Sequence, residues 1–230
     1  MKSYFVTGTD TGVGKTVITA AIASILRKRG IDVGVMKPIA TGISTKGRFK
    51  SEDVEILHNA ALTNDDEKTI NPIFLPLPVS PYDASKSLGV KIDMEMVFEM
   101  YKFLVKSHQM VLVEGIGGIM TPITQDFFVA DMIKQMNLET IVVTRSTLGT
   151  INHTVMTIEM CKKYQIPVKG LVINYFDEKG EPAERNAPST LHEITGLPIL
   201  GIIPFVKDYQ KFEVMVNIVE KNMNMNAFIS

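Results

Sequence analysis

A glycine-rich segment near the amino terminus has the residue types of a phosphate-binding loop. Residues 8–16 read GTDTGVGKT and lie between a strand-like run and a helix-like stretch. In such a loop the backbone N–H groups and the helix amino terminus surround the phosphates, the lysine reaches the β- and γ-phosphates, and the last hydroxyl binds magnesium. The segment is one residue longer than the strict pattern. A glycine turn followed by a helix cap is the ordinary alternative, but the flanking strand and helix favour a phosphate site.

Two carboxylates could serve the same site. Glu114 ends an apolar run and is followed by glycines, which places it at the carboxyl edge of a sheet, where an acid can hold the metal. Asp53 lies in the first turn of a predicted helix and could be a further metal ligand. A solvated acid at a strand end is the alternative for Glu114. Taken alone, Asp53 is better explained as an acid that complements the helix dipole.

Two more polar residues follow predicted strands. Lys37 precedes Pro38, and the residues alone favour an exposed lysine at a strand end. A lysine directed into a phosphate site would instead stabilise the charge that develops during transfer. Asn174 ends another run and could contact a base or a substrate amine, and a capping role explains it equally well.

The elements that must position these residues alternate along the chain. Strand-like runs without polar alternation, typical of a buried parallel sheet, cover residues 4–7, 33–36, 110–113, 140–144, 170–173 and 199–203. Helical spacing predicts helices over residues 15–29, 51–61, 93–107, 127–136, 151–164 and 189–195. Residues 41–50 and 71–87 are predicted as long loops, and residues 222–226 as a frayed helix end. The pattern predicts an α/β fold, a single doubly wound, mostly parallel sheet flanked by helices, of the P-loop NTPase type, in one domain spanning residues 1–230.

Composition excludes several classes of function. The formal net charge of −1 provides no overall field that would attract nucleic acid or an anionic membrane. The one cysteine, Cys161, cannot form an internal disulfide, which suits the cytoplasm. No segment has the pattern of a signal peptide or the length of a membrane span. We therefore expect a cytoplasmic protein that binds neither nucleic acid nor membranes.

Five motifs together resemble the dethiobiotin synthetases. They are YFVTGTDTGVGKT over residues 4–16, KPIATG over 37–42, VEGIGG over 113–118, LGTINH over 148–153 and GIIP over 201–204. The resemblance implies a homodimeric, ATP- and Mg²⁺-dependent enzyme of biotin synthesis that joins 7,8-diaminononanoate with CO2, giving dethiobiotin, ADP and phosphate. A substrate amine would be carbamylated, the carbamate would attack the γ-phosphate, and the second amine would close the ring on the resulting carbamic–phosphoric anhydride.

The resemblance also implies roles for matching residues. The catalytic residues would be Lys37, Lys15 and Thr11. ATP would be bound by Gly12, Val13, Gly14, Lys15, Thr16, Val17, Asp53, Glu114, Gly115, Ile116, Gly117, Asn174, Tyr175 and Pro204. The metal would be held by Thr16, Asp53 and Glu114. The substrate would be bound by Thr41, Ser80, Pro81, Gly149, Thr150, Ile151 and Asn152, the last four across the dimer interface.

The chain departs from the family beside the predicted base site. Tyr175 follows Asn174 where the family often has an acid or an amide, and residues 176–188 align as an insertion.

Two other classes compete with the synthetase. A partner-regulated P-loop ATPase switch of the partitioning type usually carries an additional lysine early in the loop, where this chain has Asp10 and Thr11. Its amphipathic membrane tail would also need more basic residues than the carboxyl-terminal segment carries. A cobyrinate amidase-like synthetase usually carries a glutaminase cysteine, whereas Cys161 lies in a predicted helix.

Overall fold

The structure is a computed structural model that describes residues 2–45, 47–205 and 212–229. At its centre is a six-stranded sheet whose neighbouring strands are all parallel, in the order β10-β9-β8-β1-β5-β2. Its strands are β1 (Tyr4–Gly8), β2 (Val33–Met36), β5 (Met110–Gly118), β8 (Glu139–Arg145), β9 (Val168–Phe176) and β10 (Ile199–Pro204). The predicted doubly wound α/β fold is confirmed.

Helices cover both faces of this sheet. They are α1 (Lys15–Lys28), α2 (Glu52–Ala61), α3 (Glu67–Ile70), α4 (Pro81–Leu88), α5 (Met94–Ser107), α6 (Val129–Met136), α7 (Thr150–Tyr164), α8 (Pro182–Thr195) and α9 (Phe212–Asn222). Short strands pair outside the main sheet: β3 (Ile39–Thr41) with β4 (Ile73–Leu75), and β6 (Pro122–Thr124) with β7 (Phe127–Phe128). Within the described residues, no helix is both long and apolar enough to cross a membrane.

Alternate residues of β1 serve two hydrophobic cores. Tyr4 and Val6 pack with α1, α2 and α9 on one face of the sheet, and Phe5 packs with α5 and α6 on the other. Because both faces are covered, β1 is fully buried and its carboxyl end is held rigidly. The phosphate loop begins at that end.

Strand order brings the predicted site residues together. β1 lies between β8 and β5, and Val6 pairs with Glu114. Lys37 follows β2, the neighbour of β5. The phosphate loop follows β1, Lys37 follows β2, and Glu114 lies within β5, level with Val6. All three therefore lie near the carboxyl edge of the sheet, where such sheets bind ligands.

The structure corrects several boundaries. Residues 71–87 are not one loop, because they form β4 and most of α4, whose N-cap Ser80 accepts a hydrogen bond from the Asp83 N–H at 3.2 Å. Residues 127–128 are strand rather than helix. Residue 51 does not begin α2 but precedes it, because Ser51 is the N-cap residue, and its side chain makes no capping hydrogen bond to a described residue.

The segment aligned as an insertion is mostly helical. α8 begins at Pro182, seven residues before the predicted start at Ser189, and it contains Pro188. Pro182 is favourable in the first turn, where the missing N–H of a proline is not needed. The Glu184 side chain accepts a hydrogen bond from the Glu181 N–H at 3.1 Å, which closes the start of the helix.

The carboxyl-terminal segment is anchored rather than frayed. The Asn224 N–H donates to the Leu200 carbonyl at 2.7 Å, and Met223 and Met225 are buried. Phe228 contacts the Tyr4 ring edge-on, with the centroids 5.6 Å apart. The prediction of a frayed end is wrong because these apolar side chains cover the amino end of β1.

Candidate active site

The phosphate loop needs glycine for conformation and for space. Gly12 and Gly14 have φ angles of 72° and 95°, in the left-handed region that favours glycine. A Cβ atom on Gly14 would lie 2.1 Å from the Asn174 side-chain nitrogen. Gly14 therefore lets β9 approach the amino terminus of α1.

Side chains from β8 and β9 hold this loop. The Asn174 amide donates to the Val13 carbonyl at 3.0 Å, and the Arg145 guanidinium donates to the Gly12 carbonyl, with Nε 3.1 Å away. The Lys15 ammonium donates to the Asp10 carbonyl at 3.0 Å. The loop is thus fixed in shape by the protein's own contacts.

Four side chains converge beside the loop. The Thr16 hydroxyl lies 3.0 Å from Asp53 Oδ1 and 2.8 Å from Glu114 Oε1, and it can donate its single proton to either carboxylate. The Lys37 ammonium contacts Glu114 Oε1 at 2.5 Å and Asp53 Oδ2 at 2.8 Å. Lys37 is only 3% exposed, so the interpretation of an exposed lysine at a strand end is wrong.

The pKa shifts follow from burial and from these contacts. Burial alone would lower the pKa of Lys37, but Glu114 and Asp53 outweigh it and raise that pKa, so this ammonium is charged. Burial, and then the Lys37 charge, lower the pKa of Lys15 to about 8. Burial raises the pKa of Glu114, and the Lys37 ammonium opposes this shift. Burial would also raise the pKa of Asp53, but Lys37, together with Thr16 and Lys15, outweighs it and lowers that pKa.

The oxygen atoms of this cluster suit a hard divalent cation. Glu114 is fully buried, and its Oε2 atom has no hydrogen-bond partner among the residues that the structure describes. One hydroxyl and two carboxylates converge here, and Mg²⁺ is usually bound by one or two carboxylates together with waters and substrate phosphates. In the part of the chain that the structure describes, no group of three or more His, Cys, Asp or Glu side chains could hold a metal.

A cleft of about 790 Å³ opens above the cluster. The predicted site residues that line it are Thr11, Gly12, Gly14, Lys15, Thr16, Val17, Lys37, Thr41, Asp53, Ser80, Pro81, Ile116, Gly117 and Tyr175. The cleft thus joins the phosphate loop to the amino end of α4, which residues 71–87 contribute.

Other predicted residues lie outside this lining. Glu114 lies beneath the cleft and contacts Thr16 and Lys37, and Asn174 is 2% exposed and bonded to the loop. The remaining ones are Val13, Gly115, Pro204, Gly149, Thr150, Ile151 and Asn152. The last four form the amino terminus of α7, where the Thr150 hydroxyl faces inward to Thr144 at 2.7 Å.

Several lining residues were missed by sequence reasoning. They are Ala40, Glu52, Ile56, Pro78, Val79, Thr121 and Pro122. Pro78 and Val79 immediately precede Ser80, so the predicted substrate loop could have included them. No pattern marked Thr121, whose hydroxyl accepts a hydrogen bond from the Gly118 N–H at 2.9 Å and stabilises the turn after β5.

Tyr175 has a backbone conformation unusual for a bulky residue. Its φ angle is 57°, and its ring lines the cleft beside the phosphate loop. The Arg145 guanidinium lies 5.1 Å from the ring centroid, and the Phe205 ring lies 6.2 Å away. These two neighbours hold an aromatic side chain where the family often has an acid or an amide.

Comparison of the chain with known proteins gives consistent results. A family model described as an AAA domain matches residues 2–212. An ATP-dependent dethiobiotin synthetase BioD from Nitrosopumilus maritimus is 51% identical over 100% of both chains. Enzymes of the same name from Thermodesulfovibrio yellowstonii and Bacillus subtilis strain 168 are 42% and 34% identical, and the alignments cover at least 98% of every chain.

Solved structures share the fold. The MinD cell division protein of Aquifex aeolicus has a TM-score of 0.58 at 19% identity, covering 100% of this chain and 94% of that one. A ParA family ATPase from Chlorobium tepidum has a TM-score of 0.57 at 18% identity, covering 96% and 93%. At such identities the likeness extends to the P-loop fold alone.

Proposed function

This chain belongs to the dethiobiotin synthetase family of ATP-dependent ligases, and we propose that it forms dethiobiotin from 7,8-diaminononanoate, CO2 and ATP in biotin biosynthesis. ADP and phosphate are the other products. Relatives up to 51% identical over the full chain support this activity. The observation that carries it in the structure is the contact of Lys37 with both acids beside the phosphate loop.

The chemistry suits the side chains at this site. Phosphoryl transfer needs positioning and charge neutralisation more than a protein nucleophile. The substrate amine adds to CO2 and loses a proton, giving a carbamate. A carbamate oxygen attacks the γ-phosphorus and ADP leaves. The second amine then attacks the carbonyl of the anhydride, closes the ureido ring and releases phosphate.

Two lysines and a threonine stabilise the negative charge of the phosphates and of the carbamate in this scheme. Lys15 neutralises the β- and γ-phosphates, since its ammonium already lies at the phosphate loop. Lys37 faces the carbamate and the transferring phosphate after leaving its carboxylate partners, and Thr11 donates a hydrogen bond to the reacting groups. Their effect is largest in a site that excludes water.

The proposed magnesium ligands are Thr16, Asp53 and Glu114. The ion supplies neutralisation of phosphate charge when bound. The unpartnered Glu114 Oε2 atom and the shared Thr16 hydroxyl support this assignment.

The remaining assignments concern substrate and subunit. Thr41, Ser80 and Pro81 line the cleft on the substrate side. Gly149, Thr150, Ile151 and Asn152 bind the substrate carboxylate across a homodimer interface, through backbone N–H groups and the side-chain amide of Asn152. Asn174, Tyr175 and Pro204 surround the base. We place this activity in one domain of a cytoplasmic homodimer with small-molecule substrates, without nucleic acid or membrane partners.

The test is phosphate release from Mg-ATP with and without the diamine and bicarbonate, with dethiobiotin followed by mass. We expect release that depends on the diamine and yields dethiobiotin. Lys15→Met should abolish it, whereas the matched exposed variant Lys102→Met should not. Slow release that is indifferent to the diamine would overturn the synthetase and leave a nucleotide-driven switch.

A further inference from the structure

Four threonine hydroxyls meet at the carboxyl end of β8. Thr144 Oγ1 lies 3.1 Å from that of Thr9 and 2.7 Å from that of Thr150, and Thr154 donates to it at 3.0 Å. Thr144 and Thr154 are fully buried, and Thr150 is 4% exposed. These contacts join the phosphate loop, the central sheet and the first two turns of α7.

Thr144 uses its whole hydrogen-bonding capacity. A hydroxyl donates once and accepts twice. Since Thr154 donates to it, Thr144 donates to either Thr9 or Thr150 and accepts from the other. Within the described residues, none of the three outer hydroxyls has another side-chain or backbone partner, so they depend on Thr144.

The contact between Thr144 and Thr9, here called the loop arm, leads to the segment that holds Lys15. Thr9 precedes Asp10, whose carbonyl accepts the hydrogen bond from the Lys15 ammonium at 3.0 Å. The Thr9 N–H also donates to the Val143 carbonyl at 3.0 Å. Backbone and side chain together therefore fix the loop at the point that holds Lys15.

The other arm leads to α7. Thr150 is the first residue of that helix and follows Gly149, which has a φ angle of 94°. The inward hydrogen bond to Thr144 sets the rotation of the first turn about the helix axis. It thereby sets the direction in which the N–H groups near Ile151 and Asn152 point.

We propose that Thr144 is a positioning residue that holds the phosphate loop and the amino terminus of α7 in one fixed relative placement. The loop arm affects nucleotide binding through Thr9. The α7 arm affects binding of the diamine through its carboxylate, and this arm rests on the proposed function. A buried hydroxyl cluster suits this task because each bond breaks with a small displacement.

Thr140, on the same strand, provides a matched control. It is also fully buried, but its hydroxyl has no hydrogen-bond partner within residues 2–45, 47–205 and 212–229. Replacing it with valine removes the same atom without breaking a contact, so the Thr140→Val protein should keep wild-type kinetics.

The experiment compares Thr144→Val, Thr144→Ser and Thr140→Val. The measurements are the melting temperature, the Kd of a fluorescent ATP analogue without diamine, and the KM of the diamine. Thr144→Val should raise both the Kd and the KM by about tenfold, Thr144→Ser should restore them, and Thr140→Val should change neither. A lower melting temperature with unchanged Kd and KM in Thr144→Val would overturn the proposal.

Two further variants keep the test decisive if Thr144→Val fails to fold. Thr9→Val breaks only the loop arm and should raise only the nucleotide Kd, whereas Thr150→Val should raise only the KM of the diamine. If Thr9→Val and Thr150→Val both have the same nucleotide Kd and the same KM of the diamine as Thr140→Val, the positioning role is wrong. The nucleotide Kd is measured without diamine. If the diamine is not the substrate, the test of the α7 arm is lost, but the test of the loop arm through Thr9 still stands.

Discussion

Lys37 is the side chain on which the electrostatics of the site depend. It is 3% exposed and contacts both Asp53 and the fully buried Glu114. An unpartnered charge at such a depth is costly, so a single substitution of this lysine affects both folding and turnover.

Replacing Lys37 with methionine should therefore have two effects. We expect turnover to fall at least roughly a hundredfold, because the charge next to the transferring phosphate is lost. We also expect the free energy of unfolding to fall by about 3–5 kcal/mol, since Glu114 stays buried without its cation. Steady-state kinetics and thermal unfolding measure the two.

A compensating variant separates these effects. In Lys37→Met/Glu114→Gln most of the stability should return, because a neutral amide replaces the fully buried carboxylate that lost its cation, while turnover stays low. Lys102→Met, on the exposed face of α5, serves as the matched control. Near-normal turnover of the single variant would contradict the catalytic role.

Sequence reasoning located the residues of this cluster but not their contacts. The phosphate-loop pattern and the strand ends placed Lys15, Thr16 and Glu114 at one edge of the sheet. The residues alone favoured an exposed Lys37, because lysine is almost never fully buried unless it is paired. Its partners, Asp53 and Glu114, are 16 and 77 positions away in the sequence. Only the resemblance to the family predicted that Lys37 faces the active site.

At the scale of elements, the close approach of β9 to α1 shapes the phosphate loop. Asn174 reaches over Gly14 to the Val13 carbonyl. We expect Gly14→Ala to abolish nucleotide binding, because the new Cβ would lie 2.1 Å from the Asn174 amide and the φ angle of 95° disfavours alanine. Equilibrium binding of a fluorescent ATP analogue measures this.

Gly30→Ala is the control that separates the collision of a Cβ atom with Asn174 from the strain of a positive φ angle. Gly30, after the carboxyl end of α1, has a φ angle of 81°, and a Cβ atom added there would have no neighbour within 4 Å. This variant should lose about 1 kcal/mol of stability from strain and keep its affinity for nucleotide. Equal loss of affinity in both variants would show that collision with Asn174 is not the cause.

Long elements were predicted well and short ones were not. The six main strands contain continuous apolar runs, and α1, α5 and α7 have enough residues for a clear helical period. The strands β3, β4, β6 and β7 have two or three residues each, too few for any period. α4 was missed because prolines marked its surroundings as a loop, and the start of α8 was missed because residues 176–188 aligned as an insertion.

At the scale of the whole molecule, the proposed carboxylate site lies apart from the cleft. Gly149 and Asn152 do not line the cleft of their own chain. We expect a dimer carrying Asn152→Ala in one subunit and Lys15→Ala in the other to show about half of wild-type activity, because one site keeps both groups. Differently tagged subunits, purified as heterodimers, allow this measurement.

The parent homodimers set the reference for that experiment. Each should be nearly inactive, since both of its sites carry the same defect. A heterodimer as inactive as its parents would argue against sites shared between subunits.

Cys161 offers a probe of global unfolding. It is fully buried in α7, and burial raises the pKa of its thiol to about 12. Because the thiolate is the reactive form, iodoacetamide should not label the native protein at about pH 8, about four units below that pKa, but should label it in concentrated guanidinium. Mass spectrometry measures the labelled fraction.

An exposed thiol on the same helix is the control. With Lys163→Cys, one label should appear on the native protein within the same time. Rapid native labelling of Cys161 itself would mean that α7 separates from the sheet without global unfolding.

The ion pairs of Lys37 also affect how strongly the free enzyme holds its nucleotide. The ammonium already donates to Glu114, to Asp53 and to the Gly115 carbonyl, so it reaches a phosphate only by giving up one of these contacts. Breaking an existing contact of Lys37 offsets part of the binding free energy of ATP, and this weakens ground-state binding. Once released, the poorly solvated cation acts most strongly on charge that develops later. Modest affinity and fast chemistry would then have one origin.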